Sequence, residues 1–132
     1  VNVKMNKIQN VDIYSNDAGR FMVDVAEEGD SIDVVFMDPP RSGSTEEFMS
    51  SVITLGPKRV VYISCGPESL ARDLKYMIKN GYQVIKMTPV DMFPLTRGVE
   101  TVCLLINKNV NTKQHVNVSN YAEEYHKIKD GK

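Results

Sequence analysis

The stretch Arg59-Val60-Val61-Tyr62-Ile63-Ser64-Cys65-Gly66-Pro67-Glu68-Ser69-Leu70-Ala71-Arg72-Asp73-Leu74 decides the fold. Arg59 to Ser64 reads as a buried strand, rich in β-branched and aromatic residues. Pro67 suits the first turn of a helix, where its missing N–H is not needed. Leu70, Leu74, Met77 and Ile78 then fall at i, i+4, i+7 and i+8, an amphipathic stripe that Asn80-Gly81 terminates. Cys65 therefore stands between the exit of a strand and the start of a helix.

The same alternation extends upstream. Val11-Asp12-Ile13-Tyr14 reads as a short strand, and Asp17 can cap a helix with Phe21, Met22 and Val25 on one face, closed by Gly29. Ile32 to Met37 is nearly all apolar, which predicts a parallel strand buried on both faces. Ser44 and Glu47 have capping-box spacing, so a helix is expected from near Thr45, with Phe48, Val52 and Leu55 on its apolar side and Gly56-Pro57 at its end. Downstream, Gln83 to Val90 and Glu100 to Ile106 read as strands. The nine residues between them are too few for a parallel crossover, so the two are expected to be antiparallel neighbours. The predicted order is β-α-β-α-β-α-β-β, an α/β doubly wound sheet, mostly parallel, with a reversed final strand. Residues 1–106 form this unit, with Val1 to Asn10 read as the last turns of a helix. Residues 107–132 read as a polar, mobile tail with a short helix over Tyr121 to Ile128.

A chain of 132 residues fits one domain. Its net charge of −1 provides no basic face, so strong autonomous binding of RNA is not expected. Cys65 and Cys103 are the two cysteines, too few and too far apart for a zinc site, and no metal is expected. Free thiols fit a reducing, cytoplasmic compartment. No apolar run is long enough to cross a membrane, and no signal-peptide pattern opens the chain. The first residue is Val1, which suggests a segment of something longer.

In open α/β sheets, ligands bind beyond the carboxyl ends of the parallel strands. Asp38 and Cys65 sit at such ends, and a reversed final strand returns Glu100 to the same rim. A helix N-terminus beside Cys65 favours its thiolate. Taken singly, each residue has a plainer reading. Asp38-Pro39-Pro40 also makes a stiff turn, Cys65 also serves as a small buried hydrophobe, and Glu100 is also a solvated strand-end carboxylate. Cys103 reads as core, and His115 and His126 as exposed tail residues.

Three segments in order resemble the RNA (uracil-5-)-methyltransferase family. These are class I enzymes dependent on S-adenosylmethionine that form 5-methyluridine in tRNA and 23S ribosomal RNA. Asp38-Pro39-Pro40-Arg41-Ser42-Gly43 is similar to the family's DPPR-x-G segment. Ser64-Cys65-Gly66-Pro67 with Leu70-Ala71-Arg72-Asp73-Leu74 is similar to its SCNP-x-x-LARDL segment. Asp91-Met92-Phe93-Pro94, Thr96 and Val99-Glu100 are similar to its DMFP-x-T-x-H-V-E segment. The resemblance runs from about Asn6 to Ile106 and implies a Rossmann-like class I methyltransferase sheet. It implies that Cys65 is the nucleophile that adds to C6 of uracil, and that Glu100 is the general base that removes the C5 proton. Asp38 would orient the uracil and shape the cofactor pocket. Asp17 is similar to the acidic residue that class I enzymes place near the adenine. The target base would have to be unstacked.

The chain also departs from that family. Gly66 replaces its asparagine and Gly98 its histidine. No two of the glycines are separated by a single residue, so the GxG turn that cradles the cofactor's methionine is missing. The first two strands of the sheet are missing too. The expectation is a C-terminal part of the catalytic domain, inactive or nearly so alone. Its Val11 strand is expected to slide onto the Ile32 strand, or a second copy to cover the gap. Two other functions fit the same residues: a non-enzymatic interaction module that keeps the fold, and a methyltransferase acting on another nucleic-acid target.

Overall fold

The computed structural model describes residues 2–29 and 31–110. The elements are α1 (Asn2–Met5), α2 (Ala18–Glu28), β1 (Val34–Met37), α3 (Glu46–Leu55), β2 (Arg59–Ser64), α4 (Pro67–Lys79), β3 (Tyr82–Val90) and β4 (Glu100–Asn107). The strands form one sheet in the order β1-β2-β4-β3. β1 and β2 are parallel, and β4 lies antiparallel between β2 and β3. Three strands therefore share one direction and the last is reversed, as the pattern of strands and connections requires.

Local chemistry sets the helix ends. The Asp17 carboxylate accepts the Arg20 N–H at 3.1 Å, and Gly29 closes α2 in a left-handed conformation at φ 76°. α3 starts one residue later than capping-box spacing suggests. Thr45 Oγ1 accepts the Phe48 N–H at 3.2 Å, while the Ser44 N–H is drawn away to the Asp73 carboxylate at 2.7 Å. Pro67 opens α4, and the Asn80 N–H closes it on the Tyr76 and Met77 carbonyls.

The inward residues of neighbouring strands are in register: Val35 beside Val60, Met37 beside Tyr62, and Val60 and Tyr62 beside Leu105 and Cys103. Met22 of α2, Met49 and Val52 of α3, and Leu70, Leu74 and Met77 of α4 pack into the same core. Each such side chain contributes about 1.5–3 kcal/mol by leaving water. All three helices thus lie on one face of the sheet. The other face carries Val34, Phe36, Val61, Ile63, Val102, Leu104 and Ile106, and no described helix covers it. Phe36 is 72% exposed and Val34 37%. The strand over Ile32 to Met37 is therefore half-buried, not buried on both faces, because one of its two helical layers is missing from the described residues.

Val11 to Tyr14 does not form a strand. The segment is extended and exposed, with Ile13 at 71%. It does not slide onto β1, whose outer edge stays unpaired among the described residues. An isolated strand has no ladder to stabilise it, and Tyr14 finds a different partner. Its ring packs on Phe21 of α2 with centroids 4.7 Å apart. The segment over Val1 to Asn10 keeps one helical turn, α1. The expected Tyr121 to Ile128 helix and the tail histidines lie outside the described residues.

Two buried phenols make stability sensitive to alkali. Tyr82, 1% exposed, donates to the Pro57 carbonyl at 3.0 Å, and burial pushes its hydroxyl up from 10.0 to about 12. Burial, reinforced by the Asp73 carboxylate 2.6 Å away, pushes Tyr62 up as well. Their full contribution is present below pH 10.0, the ordinary phenol value. Above it the unfolded chain loses protons that the native chain keeps, and stability falls by about 1.4 kcal/mol per pH unit for each phenol. Unfolding free energies from urea titrations between about pH 9 and 11.5 should hold level up to about pH 10 and fall towards that slope above it, and Tyr82→Phe should make the decline shallower. An unchanged slope in that variant would show that Tyr82 ionises as readily folded as unfolded.

Candidate active site

The ends of the strands bring the acidic and thiol groups to one rim. Met37 ends β1 and Ser64 ends β2, both with buried side chains. Asp38 and Cys65 are the next residues, one step beyond, on the exit loops. Ser64 pairs with Thr101, so Cys65 and Glu100 follow that pair at the end of the β2–β4 ladder. Glu100 also pairs with Val90, which brings the Asp91 loop to the same rim. Glu100, Val102 and Leu104 alternate onto the uncovered face. Cys65 and Glu100 are half-buried and Asp38 is exposed. Cys103 is fully buried, and desolvation pushes its thiol up, which suits the core position expected of it.

Asp17 is committed elsewhere: its carboxylate caps α2 through Arg20. A Cβ on neighbouring Gly19 would stand 3.8 Å from the Glu47 carboxylate, so this cap lies beside the start of α3.

The loops carrying the site are held by their own residues. In the Asp91–Val99 connection, Asp91 accepts the Phe93 N–H at 3.2 Å. Thr96 donates to the Phe93 carbonyl at 2.7 Å and accepts the Gly98 N–H at 3.1 Å. Motif residues Asp91 and Thr96 are thus turn builders. Gly66 has a packing reason, since a Cβ there would fall 2.9 Å from the Arg41 carbonyl oxygen. Asparagine would not fit without moving the Asp38 loop. Nothing in the packing explains Gly98, where a Cβ meets its nearest atom at 3.4 Å.

Sequence reasoning missed a buried carboxylate. Asp73 of α4 is 0% exposed and accepts from the Tyr62 hydroxyl at 2.6 Å, the Ser44 N–H at 2.7 Å and Arg72 Nε at 2.9 Å. The signal was present: position 73 falls on the same stripe as Leu70, Leu74 and Met77. A cleft of about 550 Å³ opens beside this cluster, lined by Arg41, Ser42, Ser69, Arg72 and Arg97 among others. Asp38, Cys65 and Glu100 do not line it. Glu100 continues the alternation of Val102 and Leu104 onto the uncovered face, where the described residues supply one wall.

The chain is similar to known proteins in sequence and in fold. The sequence profile described as tRNA (Uracil-5-)-methyltransferase matches residues 1–108. An uncharacterised RNA methyltransferase of Geobacter sulfurreducens is 40% identical over 107 residues, 81% of this chain and 22% of that protein. One from Caldanaerobacter subterraneus is 41% identical over 104 residues, 79% of this chain and 23% of the relative. Among solved structures, the Pyrococcus abyssi tRNA (uracil-54, C5)-methyltransferase in complex with S-adenosyl-L-homocysteine superposes with a TM-score of 0.65 at 30% identity. The match covers 80% of this chain and 24% of that one. The M1.HpyAVI–SAM complex superposes with a TM-score of 0.61 at 17% identity, covering 76% and 55% of the two chains, a likeness of fold alone. The chain spans under a quarter of the length of these curated relatives.

Proposed function

The chain belongs to the tRNA (uracil-5-)-methyltransferase family, and on that premise we propose that it carries the nucleophile and the base of uridine C5 methylation in RNA. The observation that supports this reading is the β2–β4 register, whose last pair, Ser64 and Thr101, adjoins Cys65 on one strand and Glu100 on the other, at the rim where Asp38 leaves β1.

C5 of uracil is a weak nucleophile. In the proposed reaction the Cys65 thiolate adds to C6, and the displaced electron pair makes an enolate across C5, C4 and O4. C5 then takes the methyl group. Glu100 removes the C5 proton, and re-forming the C5–C6 double bond expels the thiolate. Asp38 accepts a hydrogen bond from the uracil edge and holds the ring over Cys65. S-adenosylmethionine, the cofactor of this family, supplies the methyl group as a sulfonium. The described residues fit only part of a site for it. Asp38 stands at the rim, but Asp17 is occupied as a cap and no two glycines have GxG spacing. The isolated chain is accordingly proposed to be inactive, with RNA bound in the longer protein. A cytoplasmic setting follows from the free thiols, and the open β1 edge is where a second copy of the chain would add a strand.

The non-enzymatic reading draws on Gly98 alone, since Gly66 has its own packing reason. Two measurements test the proposal. Calorimetric titration of this chain with S-adenosylhomocysteine should give no detectable heat of binding. A chimera with residues 1–108 in place of the matching segment of the Geobacter sulfurreducens relative should methylate uridine in RNA. Micromolar binding by the isolated chain would overturn the incomplete pocket. A folded chimera that binds the cofactor and leaves uridine unmodified would favour the interaction module.

A further inference from the structure

We propose that Asp73 is a positioning residue, the centre of a buried clamp that sets the Cys65 loop against the Asp38 loop. The inference rests on the reading that Cys65 and Asp38 serve one reaction, and it assigns the clamp a measurable effect of its own.

The Asp73 carboxylate collects donors from three parts of the chain. Tyr62 comes from β2, three residues before Cys65. Ser44 comes from the loop that begins at Asp38. Arg72 comes from α4 itself, with Nη2 2.8 Å from Asp73 Oδ1. Arg72 Nη2 also donates to the Ser42 carbonyl at 2.9 Å. Ser69 Oγ donates to the Arg41 carbonyl at 2.8 Å, one helical turn before the clamp. The Asp38 loop is therefore tied to α4 along its whole second half, and α4 starts two residues after Cys65. At the point of contact Gly66 approaches the Arg41 carbonyl so closely that a Cβ would not fit.

A buried acidic side chain is a poor way to gain stability, because apolar residues of similar volume often do as well or better. Such a group fixes geometry instead, since its donors are directional and each must be met. Here the geometry fixed is the offset between two exit loops, the quantity that decides whether a thiol and an orienting carboxylate reach one base.

The native chain offers a direct readout. Cys103 is fully buried and Cys65 is half-exposed, so a small neutral alkylating reagent such as iodoacetamide reports on Cys65. Tyr62→Phe and Asp73→Asn each change the clamp while keeping side-chain volume. Both should retain the native far-UV circular dichroism and change the Cys65 alkylation rate by about three- to tenfold, the equivalent of one hydrogen bond. Val52→Ala, which opens a cavity in the core away from the rim, should destabilise the chain yet leave that rate unchanged when measured well below its melting temperature. Rates in both clamp variants equal to wild type, or shifts equally large in Val52→Ala, would overturn the proposal. If Asp73→Asn fails to fold, Tyr62→Phe decides alone, because it removes one donor of several. Alkylation needs neither cofactor nor RNA, so an inactive chimera would sink the proposed reaction and leave the clamp standing.

Discussion

Cys65→Ala in the chimera is expected to lower uridine methylation by on the order of 10⁴-fold or more, since removing a nucleophile forfeits the whole covalent route. Alanine fits the half-buried site, so RNA binding and cofactor binding should persist while turnover disappears. Glu100→Gln should behave differently. It retains the nucleophile and loses about 10²–10⁴-fold, the usual worth of a positioned base. Because methyl transfer precedes proton removal, that variant should also accumulate RNA covalently attached to protein. Denaturing electrophoresis of radiolabelled RNA separates the two cases. Methylation surviving in Cys65→Ala would mean that C5 is activated without thiol addition, and the role given to the β2 exit would be wrong.

The second large effect is structural. Gly43 has φ +85°, and a Cβ placed on it would lie 2.5 Å from Arg72 Nη2, 2.6 Å from Asp73 Oδ2 and 2.9 Å from Ser69 Cβ. The left-handed backbone costs an L-residue about 1–2 kcal/mol, and forcing a methyl into a packed, charged cluster costs about 1–3 kcal/mol more. Gly43→Ala should therefore lose about 2–5 kcal/mol in urea denaturation. The first part is a backbone cost and the second acts on the buried carboxylate, so Cys65 alkylation should shift in the same variant. A loss below about 1 kcal/mol would mean that the loop moves aside freely.

Much of this was legible because short-range rules and long-range packing agree. β2 and α4 carry strand composition, a proline start, an apolar stripe and an Asn-Gly stop in one continuous stretch, and the structure reproduces them except at Ile78, which lies exposed while Asp73 takes a buried place on the stripe. The reversed β4 followed from the length of the Asp91–Val99 connection, and it placed Glu100 at the rim. The Val11 to Tyr14 segment was misread because strand-like composition describes a segment ready to pair, while pairing requires a neighbour. The Ile32 to Met37 segment was misread for a related reason: its composition suits two covered faces, and the described residues cover one. The Ser44 cap lost to Asp73, a residue 29 positions away, which no local pattern can reveal. Tyr62, Ser64 and Asp73 sat on inward positions from the start, yet their polarity reads as exposure until the partners are seen.

The uncovered sheet face also governs how the molecule behaves in the laboratory. A native state displaying Val34 and Phe36 to solvent will take up environment-sensitive dyes such as anilinonaphthalene sulfonate without unfolding. The bright signal that commonly diagnoses a molten state would here come from the folded chain. Dye-based thermal shifts would start from a high baseline and show a shallow rise. The chain contains no tryptophan and six tyrosines, so tyrosine fluorescence and circular dichroism are the sounder monitors of its unfolding.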